Sequence, residues 1–486
     1  MEIKEFSEEQ IIDKIRFENP WWETGEVDAF YTRMKRRRYF DLFRPLVYEQ
    51  SIKRAVVLMG PRRVGKTVML FHIIQDLIRN PTTANRVFYL SVENPIYNNI
   101  SLEQLFTYCA KATGLKLTQG VENVYVIFDE IQYLKDWEVH LKILVDTFHR
   151  VKFIASGSAA AALRLKSNES GAGRFTDFIL PPLTFYEYID LKDLNTLITV
   201  RSYDMPKMGR YYFRTSDIQE FNRHFIDYIN FGGYPEVSLS ETIQADPGRY
   251  IRSDIIDKVL LRDLPSLYGI QDVRELNALF TTIAYNSGNE FTYDNLSQSS
   301  GVSKNTIKRY ITYLEAAFLI RVVNRIDINA KKFKRANYFK IYLTNPSLRS
   351  ALFAPITADD NFVGHMVETA IFAQWNDQDY FMPYYARWQN GEVDAVALDN
   401  QQTPQWVVEI KWGNQSVKHH KALNRLRSFC AKNSLKHALI TTRDIEQIDE
   451  TEEFTYHFLP ASLYCYTIGR VATEVKQEAI YRRPIF

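Results

Sequence analysis

The amino-acid sequence predicts an α/β protein, with a parallel sheet covered by helices on both faces, a mainly helical middle and a second α/β region. Three observations predict this architecture. From residue 54 to the motif VKFIASGS, apolar strand-like runs alternate with amphipathic helical segments. After LPPLTFYEYIDL the periodicity becomes mainly helical. From residue 336 to about residue 470, strands and helices mix again.

The length of the chain indicates more than one domain. A chain of 486 residues is longer than a single hydrophobic core supports. We place the boundaries where the periodicity changes. The predicted domains are an N-terminal helical segment at 1–40, the parallel-sheet core at 41–200, a helical lid or linker at 201–273, a winged helix at 274–335 and the C-terminal α/β domain at 336–486.

Composition and charge limit the class of protein. Hydrophobic residues make up 46% of the chain and charged residues 24%, so we expect folded domains rather than disorder. The formal charge of +2 excludes a uniformly basic nucleic-acid coat but leaves room for a local basic face. One basic run, RMKRRRYF at residues 33–40, is typical of a solvated helix face or of a contact to phosphate or a partner.

The compartment is predicted from the cysteines and from hydropathy. Cys109, Cys430 and Cys465 lie far apart and match no metal-binding spacing, which favours a reducing compartment. The first residues are charged and lack the apolar core of a signal peptide. The sequence has no run that approaches the roughly 20 apolar residues of a membrane helix. We therefore expect a cytoplasmic protein with no membrane partner.

A phosphate-binding loop is predicted at GPRRVGKT. This motif has the pattern G-x-x-x-x-G-K-[ST] and stands between an apolar strand and an amphipathic helix, which is the context it needs. Its glycines let the backbone wrap around phosphates at the N-terminus of a helix. Lys66 is expected to reach the β- and γ-phosphates, and Thr67 to hold Mg²⁺. The predicted nucleotide contacts in the loop are Gly60, Pro61, Arg62, Arg63, Val64, Gly65, Lys66, Thr67 and Val68.

The motif VYVIFDE supplies the second half of the predicted nucleotide site. Asp129 emerges at the carboxyl end of a buried strand, where open α/β sheets bind ligands, and is expected to hold Mg²⁺. Glu130 is placed to orient or deprotonate the attacking water. In the following strand, FIASGS puts Ser156 and Ser158 at the same edge, in a position suited to sensing the γ-phosphate. ATP and Mg²⁺ are thus the expected cofactors, with Lys66 and Glu130 as catalytic residues.

These motifs resemble the additional-strand, catalytic-glutamate class of P-loop ATPases, of AAA type. The segments DEIQYLKDWEVHLKILVD, SGSAAAAL, GRF, LPPLTFYEYI and GGYPE are similar to one prokaryotic AAA ATPase family. The resemblance covers most of residues 40–470 and implies ATP hydrolysis, with a homo-oligomer as a possible assembly. An arginine from a neighbouring subunit or a lid would complete hydrolysis. Arg174 and Arg262 are candidates for that role, with a surface ion pair as the alternative for either.

A helix-turn-helix with a wing is predicted at residues 291–325. A short helix, a turn at Gly301 and a second helix opened by Ser303 precede the strand-like FLIRVVNR. The second helix carries polar and basic residues at its start, where a DNA-reading helix needs them. These residues are Lys304, Asn305, Lys308 and Arg309. DNA contact and a coupling role between domains both remain open.

Charged residues interrupt apolar strands near the end of the chain. Asp394 stands in the strand-like GEVDAVAL, and Glu409 and Lys411 stand in VVEIKWGN, which we expect to form a hairpin with it. Side chains at positions i and i+2 of a strand share a face, so Glu409 and Lys411 should both face Asp394. Glu368 lies on an amphipathic helix upstream. Carboxylates and a backbone carbonyl provide the hard oxygen ligands that Mg²⁺ prefers.

The pattern Asp-x(14)-Glu-x-Lys with an upstream helical Glu resembles the restriction-endonuclease-like PD-(D/E)XK superfamily, although Gly391 to Asp394 replace its Pro-Asp. The resemblance implies an Mg²⁺ or Mn²⁺ site formed by Glu368, Asp394 and Glu409, with Lys411 positioning or deprotonating water. Asp394, Glu409 and Lys411 are then catalytic, and DNA is the expected partner. The alternative is an inactive fold in which these charges form a buried ion-pair network.

The sequence therefore leaves two alternative predictions for the function of the chain. The first is an ATPase that couples its nucleotide state to DNA binding or Mg²⁺-dependent DNA cleavage, as in defence or mobile-element maintenance. The second is a signalling or scaffold ATPase whose nuclease-like domain is an inactive recognition module. Metal-dependent cutting of DNA that is lost on changing Asp394 separates them.

Overall fold

A computed structural model of the chain describes residues 6–79, 84–118, 121–157, 173–205, 209–332, 337–375 and 383–481. The chain forms two compact units. Unit 1 comprises residues 1–180 and 479–486, and unit 2 comprises residues 181–478. None of the helices in the described ranges is long and apolar enough to span a membrane.

Unit 1 is built on a five-stranded sheet in which every strand pair is parallel. The strand order is β2-β3-β4-β1-β5. Its strands are β1 (Ala55–Met59), β2 (Val87–Ser91), β3 (Val124–Asp129), β4 (Val151–Gly157) and β5 (Phe175–Ile179). Its helices are α1 (Glu8–Glu18), α2 (Trp21–Thr24), α3 (Ala29–Thr32), α4 (Phe40–Tyr48), α5 (Lys66–Ile78), α6 (Leu102–Thr113) and α7 (Trp137–Thr147), with 3₁₀ turns at Ala84–Arg86, Pro95–Tyr97 and Ile131–Tyr133. The predicted parallel sheet flanked by helices is confirmed.

The central strands of this sheet are buried along their whole length. Every residue of β1, β3 and β4 is buried, as expected for parallel strands covered on both faces. Strand β4 lies between β1 and β3, so one strand separates the loop after β1 from the acid that ends β3. Strand β2, which comes between them in the sequence, forms the edge of the sheet.

The N-terminal segment covers the edge strand β2. The side-chain amide of Asn19 pairs with the backbone of Tyr89, accepting from its N–H at 2.7 Å and donating to its carbonyl at 2.8 Å. The indole N–H groups of Trp21 and Trp22 both donate to the carbonyl of Val87, at 3.0 and 2.9 Å. An open strand edge is a template for unwanted pairing, and these contacts occupy it.

The basic run at residues 33–40 packs against helix α5. Arg36 donates to both carboxylate oxygens of Asp76, at 2.7 and 3.1 Å, and lies over the ring of Phe40. Arg37 is buried and donates to the carbonyl of Val64 at 2.9 Å. These two arginines therefore hold the segment on the unit rather than lying on a solvated face.

Unit 2 contains a nine-stranded mixed sheet in the order β15-β16-β14-β13-β12-β11-β9-β10-β8 and a separate hairpin, β6–β7. The hairpin strands are β6 (Ile198–Met205) and β7 (Gly209–Thr215). The sheet strands are β8 (Glu290–Phe291), β9 (Ile320–Ile326), β10 (Phe339–Leu343), β11 (Tyr384–Trp388), β12 (Gly391–Leu398), β13 (Pro404–Glu409), β14 (His437–Thr442), β15 (Gln447–Glu450) and β16 (Thr455–Pro460).

The helices of unit 2 precede, interrupt and follow this sheet. The first group is α8 (Phe185–Leu191), α9 (Ile218–Phe231), α10 (Pro235–Leu239), α11 (Glu241–Gln244), two π-helical stretches at Gly248–Asp257 and Val259–Asp263, α12 (Leu264–Tyr268) and α13 (Val273–Tyr285). The second group is α14 (Tyr293–Ser300), α15 (Lys304–Ala316), α16 (Ser347–Leu352), α17 (Val363–Ala373), α18 (Gln415–Lys418), α19 (Asn424–Lys432) and α20 (Ala461–Tyr481), with 3₁₀ turns at Asn195–Leu197 and His420–Leu423.

The strands that follow helix α15 join the same sheet as the C-terminal strands. Strand β9 pairs antiparallel with β10 and parallel with β11, where Arg325 lies opposite Tyr385. The predicted boundary between residues 335 and 336 thus falls between two strands of one sheet. The hairpin β6–β7 was not predicted, and the range expected to be a helical lid or linker begins inside it.

Replacing Asn19 with alanine should destabilise unit 1, because it leaves the buried N–H and carbonyl of Tyr89 without their partners. We expect the free energy of unfolding to fall by about 2–4 kcal/mol, measured by urea denaturation of the full chain. Asn98→Ala, at an exposed position, is the matched control and should change stability little. Equal stability of the two variants would contradict the role assigned to Asn19.

Candidate functional site

The loop after β1 has the backbone of a phosphate-binding loop. A Cβ atom at Gly60 would lie 2.2 Å from the carbonyl oxygen of Leu180, so only glycine fits this position. Gly65 has φ 95° and opens helix α5, a conformation that strains residues with a side chain. The loop therefore delivers the backbone directly into a helix N-terminus, where N–H groups can meet an anion.

Lys66 is held inside this loop. Its side chain is buried, and Nζ donates to the carbonyls of Gly60 at 3.1 Å and Pro61 at 2.9 Å. The loop carbonyls thus fix the ammonium group at the start of α5, next to the helix N-terminus. This arrangement supplies the positive charge that a nucleotide phosphate requires.

The carboxylate of Asp129 is the centre of a hydrogen-bond network at the end of β3. Its Oδ2 accepts from the hydroxyls of Thr67 and Tyr89, each at 2.8 Å. Its Oδ1 accepts from the hydroxyl of Ser156 and from the backbone N–H of Glu130, the latter at 3.1 Å. The predicted pair Thr67 and Asp129 is therefore brought together, although one strand separates β1 from β3.

Glu130 follows directly and turns the chain away from the sheet. It has φ 55°, in the left-handed region that residues with side chains adopt rarely, and its carboxylate accepts from the side-chain amide of Gln132. The direction of the Glu130 side chain is therefore set by a constrained backbone conformation. Among the predicted phosphate sensors, Ser156 contacts Asp129, and Ser158 lies outside the described residues.

Tyr89 was missed by the sequence analysis. It stands in β2, and its hydroxyl reaches Asp129 from the neighbouring strand. Burial, followed by the charge of Asp129, raises the pKa of Tyr89 well above its usual value, so the hydroxyl stays a neutral donor. The sequence contains Tyr89 in an apolar strand, but it does not show that this strand pairs with the strand that ends in Asp129. The contact between them can be predicted only once β2 is known to pair with β3.

The two arginine candidates lie in different units. The Nε of Arg174 pairs with Asp146 at 2.5 Å on the surface of unit 1, which is the ion-pair alternative stated for it. Arg262 is exposed on a π-helical stretch of unit 2.

One family model matches a segment that contains both the loop after β1 and Asp129. Residues 52–189 match the family model of an AAA domain. Unit 1 thus has a P-loop ATPase fold. Residues 222–360 match a second family model, described as a domain of unknown function (DUF8612).

Other proteins match 60–76% of this chain at low identity. The uncharacterized protein MJ1544 of Methanocaldococcus jannaschii is 23% identical over 385 residues, 76% of this chain and 79% of that protein. An uncharacterized protein of Haemophilus influenzae is 25% identical over 298 residues, 60% of this chain and 68% of that protein. Among solved structures, the Aeropyrum pernix ORC1 protein in complex with DNA aligns with a TM-score of 0.30 and 11% identity, covering 68% of this chain and 97% of that one.

Helix α15 presents its first turns to solvent in unit 2. Its predicted reading residues, Lys304, Asn305, Lys308 and Arg309, are all exposed. Lys304 forms an ion pair with Asp294, and the Nζ of Lys308 lies 5.2 Å from the ring centre of Tyr293. Two of the four side chains are therefore engaged by α14, and an exposed ion pair of this kind is weak enough to be exchanged for a phosphate.

The C-terminal charges converge as the strand pattern predicted. Strands β12 and β13 form the expected hairpin. The Nζ of Lys411 lies 2.8 Å from Oε1 of Glu409 and 3.3 Å from Oδ2 of Asp394. The backbone N–H of Ile410 donates to the same Asp394 oxygen at 2.8 Å. Thr441 fixes the backbone of Lys411, since its hydroxyl bonds both the N–H and the carbonyl at 2.7 Å.

The two carboxylates of this cluster differ in their electrostatic state. Burial, followed by the charge of Asp394, raises the pKa of Glu409 far above its usual range. The neighbouring Lys411 and Lys340 lower the pKa of Asp394 in spite of its burial. The Oε2 of Glu409 is buried and has no hydrogen-bond partner. A proton or a cation is the natural partner for that oxygen.

Glu368 is engaged by another lysine. Its Oε1 accepts from Nζ of Lys340 at 2.9 Å and from the hydroxyl of Tyr342 at 2.5 Å. Lys340 also pairs with Glu392 at 2.8 Å, and its side chain is only 5% exposed. In the part of the chain that the structure describes, no three His, Cys, Asp or Glu side chains converge as a metal site.

The sequence analysis did not identify Lys340 or Glu392. Lys340 comes from β10, in the strand pair that follows α15, and reaches Glu368 on helix α17. Glu392 also pairs with Arg387, which in turn contacts Glu290 of β8. The signal for Lys340 was present, because a lysine in the middle of the apolar FKIYL needs a partner if that strand is buried.

Lys340→Met should destabilise unit 2 strongly, because it removes the cation and leaves the carboxylate of Glu368, which is only 12% exposed, without its ion-pair partner. We expect a loss of about 3–5 kcal/mol in the free energy of unfolding, measured by urea denaturation at neutral pH. The double variant Lys340→Met/Glu368→Gln should recover part of this loss. No recovery would mean that the lysine stabilises the fold through packing alone.

Proposed function

We propose that the chain is an ATP-hydrolysing enzyme of AAA type, and that unit 1 binds and cleaves ATP. The hydrogen bond from Thr67 to Asp129, next to the loop that holds Lys66, carries this proposal. Thr67 and Asp129 supply the hard oxygen ligands that would hold Mg²⁺, which offsets phosphate charge when ATP is bound. The match to an AAA domain over residues 52–189 supports the same reading.

The residues of this chain divide the work of hydrolysis. Lys66 meets the negative charge of the β- and γ-phosphates, because the loop carbonyls hold its ammonium group at the helix N-terminus. Asp129 is held in one orientation, since four donors bond its two oxygens. Glu130 accepts the proton of the attacking water. Its left-handed backbone conformation sets the position of the accepting carboxylate.

Glu130→Gln should keep ATP binding and remove hydrolysis, because the amide cannot accept a proton. We expect the rate of phosphate release to fall by at least about 100-fold with little change in nucleotide affinity. Lys66→Ala should instead lose binding, measured with a fluorescent ATP analogue. Wild-type turnover in Glu130→Gln would remove Glu130 from the proton-transfer role.

For unit 2 we propose DNA binding through helix α15 and metal-dependent cleavage of a phosphodiester at Asp394, Glu409 and Lys411. The unpartnered, buried Oε2 of Glu409 carries the second part. Asp394 and Glu409 would hold Mg²⁺ or Mn²⁺ together with a backbone carbonyl, and the ion would polarise the scissile phosphate. Lys411, fixed by Thr441, would position the attacking water as an ammonium ion, because Asp394 and Glu409 raise its pKa above the usual range in spite of its burial.

The ion pairs of Lys340 favour the rival function, a recognition module without cleavage. Glu368 was expected as a third metal ligand, but its carboxylate is occupied by Lys340 and Tyr342. A site with two carboxylates needs more ligands from water or substrate than one with three. Cleavage therefore depends on whether Asp394 and Glu409 alone hold the ion.

Binding of Mn²⁺ should become tighter as the pH rises, because the raised pKa of Glu409 means that a proton must leave before the metal binds. We expect affinity to rise about tenfold per pH unit until Glu409 has ionised, and then to level off. Isothermal titration of the Lys66→Ala chain isolates this site from the nucleotide site.

Three variants separate the outcomes at this site. Glu409→Gln should weaken Mn²⁺ binding and remove its pH dependence. Asp394→Ala should abolish both metal binding and DNA cutting while ATP hydrolysis continues. Lys411→Ala should abolish cutting and keep the metal, because it removes no ligand. If wild type binds no Mn²⁺ at any pH and cuts neither single- nor double-stranded DNA, the recognition module is the correct function.

A further inference from the structure

Three exposed aromatic rings surround a buried arginine on unit 2. The guanidinium of Arg349, in α16, lies 6.0 Å from the ring centre of Tyr285, 5.4 Å from that of Phe353 and 4.8 Å from that of Phe362. The rings of Phe353 and Phe362 each meet Tyr285 edge-on, at 5.4 and 5.6 Å. We call these four residues the aromatic platform.

In the aromatic platform the charged side chain is buried and the apolar rings are exposed, whereas a cluster that only stabilises the fold would bury the rings. Arg349 is only 5% exposed, while Tyr285, Phe353 and Phe362 are 47%, 40% and 37% exposed. Burying a cation while leaving large apolar rings in water costs free energy on both counts. The rings therefore leave apolar surface open to a ligand.

One nitrogen of the Arg349 guanidinium has no hydrogen-bond partner. Its Nε is buried without a hydrogen-bond partner, and no ion pair of Arg349 is found in the described ranges. Asp360 acts on its charge from a distance, but the carboxylate of Asp360 is tied to Thr357 by the N–H at 2.6 Å and the hydroxyl at 3.0 Å. A ligand that combines flat rings with acceptor oxygens would satisfy the rings and the guanidinium together.

The platform is rigid and lies beside the proposed cleavage site. Asn230 clamps the intervening loop by pairing with both backbone groups of Ile356, at 2.9 and 2.8 Å. The indole of Trp412, the residue after Lys411, donates to the carbonyl of Ala358 in the same loop at 2.9 Å. Phe362 immediately precedes α17, and Glu368 follows it by six residues, about 9 Å along the helix.

We propose that the aromatic platform binds unpaired bases of a single-stranded nucleic acid, with Tyr285, Phe353 and Phe362 stacking on the bases and Arg349 meeting the backbone or a base edge. Stacking platforms combined with a cation are the means by which proteins hold single strands without sequence readout. A duplex keeps its bases paired and stacked, so it cannot use these rings. The inference rests on the proposed role of unit 2 in handling nucleic acid and names the form of its ligand.

The test measures binding of the full chain in EDTA, so that cleavage and metal binding play no part. A fluorescent poly-dT strand of about 16 nucleotides and a hairpin duplex of the same length are titrated by anisotropy. Phe353→Leu and Phe362→Leu should each weaken single-strand binding by about 5- to 150-fold and leave duplex binding unchanged. Leucine keeps apolar volume, so folding is preserved, and thermal melting checks this directly.

Conservative and distant variants complete the design. Tyr285→Phe keeps the ring and should bind as wild type does, whereas Tyr285→Leu should not. Phe17→Leu is the matched control, because Phe17 is 78% exposed with the Nζ of Lys14 over its ring, but it lies on α1 of unit 1. Arg349→Lys retains charge without the planar fork and should weaken single-strand binding.

The outcomes separate this inference from the proposed function. Ring variants that bind single strands as tightly as wild type would overturn the platform, as would an equal loss in Phe17→Leu. Absence of single-strand binding by wild type would overturn it as well, and would turn the platform into a surface for a protein partner. Single-strand binding that depends on the rings, without cutting under any metal, would keep the platform and remove only the nuclease activity.

Discussion

Several elements of unit 1 donate hydrogen bonds to the carboxylate of Asp129. Its four donors come from β2, from β4, from α5 and from the residue that follows β3, so one side chain joins most of the carboxyl edge of the sheet. Such a network is costly if any member is missing, because the acid is buried. Two of these donors come from strands on either side of β3. Strand β4 brings Ser156 between the loop and the acid, and β2 brings Tyr89 from the other side.

Unit 2 solves a different problem, that of burying several charges in one sheet. Lys340 serves Glu368 and Glu392, and Lys411 serves Asp394 and Glu409, so each lysine offsets two acids. Arg387 also pairs with Glu392, and burial, followed by the charge of Asp394, raises the pKa of Glu409. In the proposed metal site, a proton and a divalent ion would compete for the same oxygen of Glu409. This competition would make the proposed metal affinity depend on pH.

The sequence predicted those parts of the fold and site that rest on contiguous residues. The phosphate loop, Asp129 and Glu130 each occupy a short motif at the end of an apolar strand. The approach of Asp394, Glu409 and Lys411 also followed, because a hairpin and a two-residue period leave one arrangement. Tyr89 and Lys340 were missed because their partners lie 40 and 28 residues away, on strands whose order periodicity does not give. The hairpin β6–β7 was missed because its neighbours read as helical.

The cover that the N-terminal segment places over β2 has a consequence for how this protein is divided. The AAA domain match begins at residue 52, after the residues that occupy the free edge of the sheet and after Arg37, which supports the phosphate loop. A fragment cut at the limits of that match would carry the nucleotide motifs on a sheet with one bare edge. Sequence families delimit what is shared among proteins, whereas a folding unit is delimited by which backbone groups have partners. For this chain the family match begins inside the folding unit, because residues before position 52 supply partners for the sheet edge and the phosphate loop.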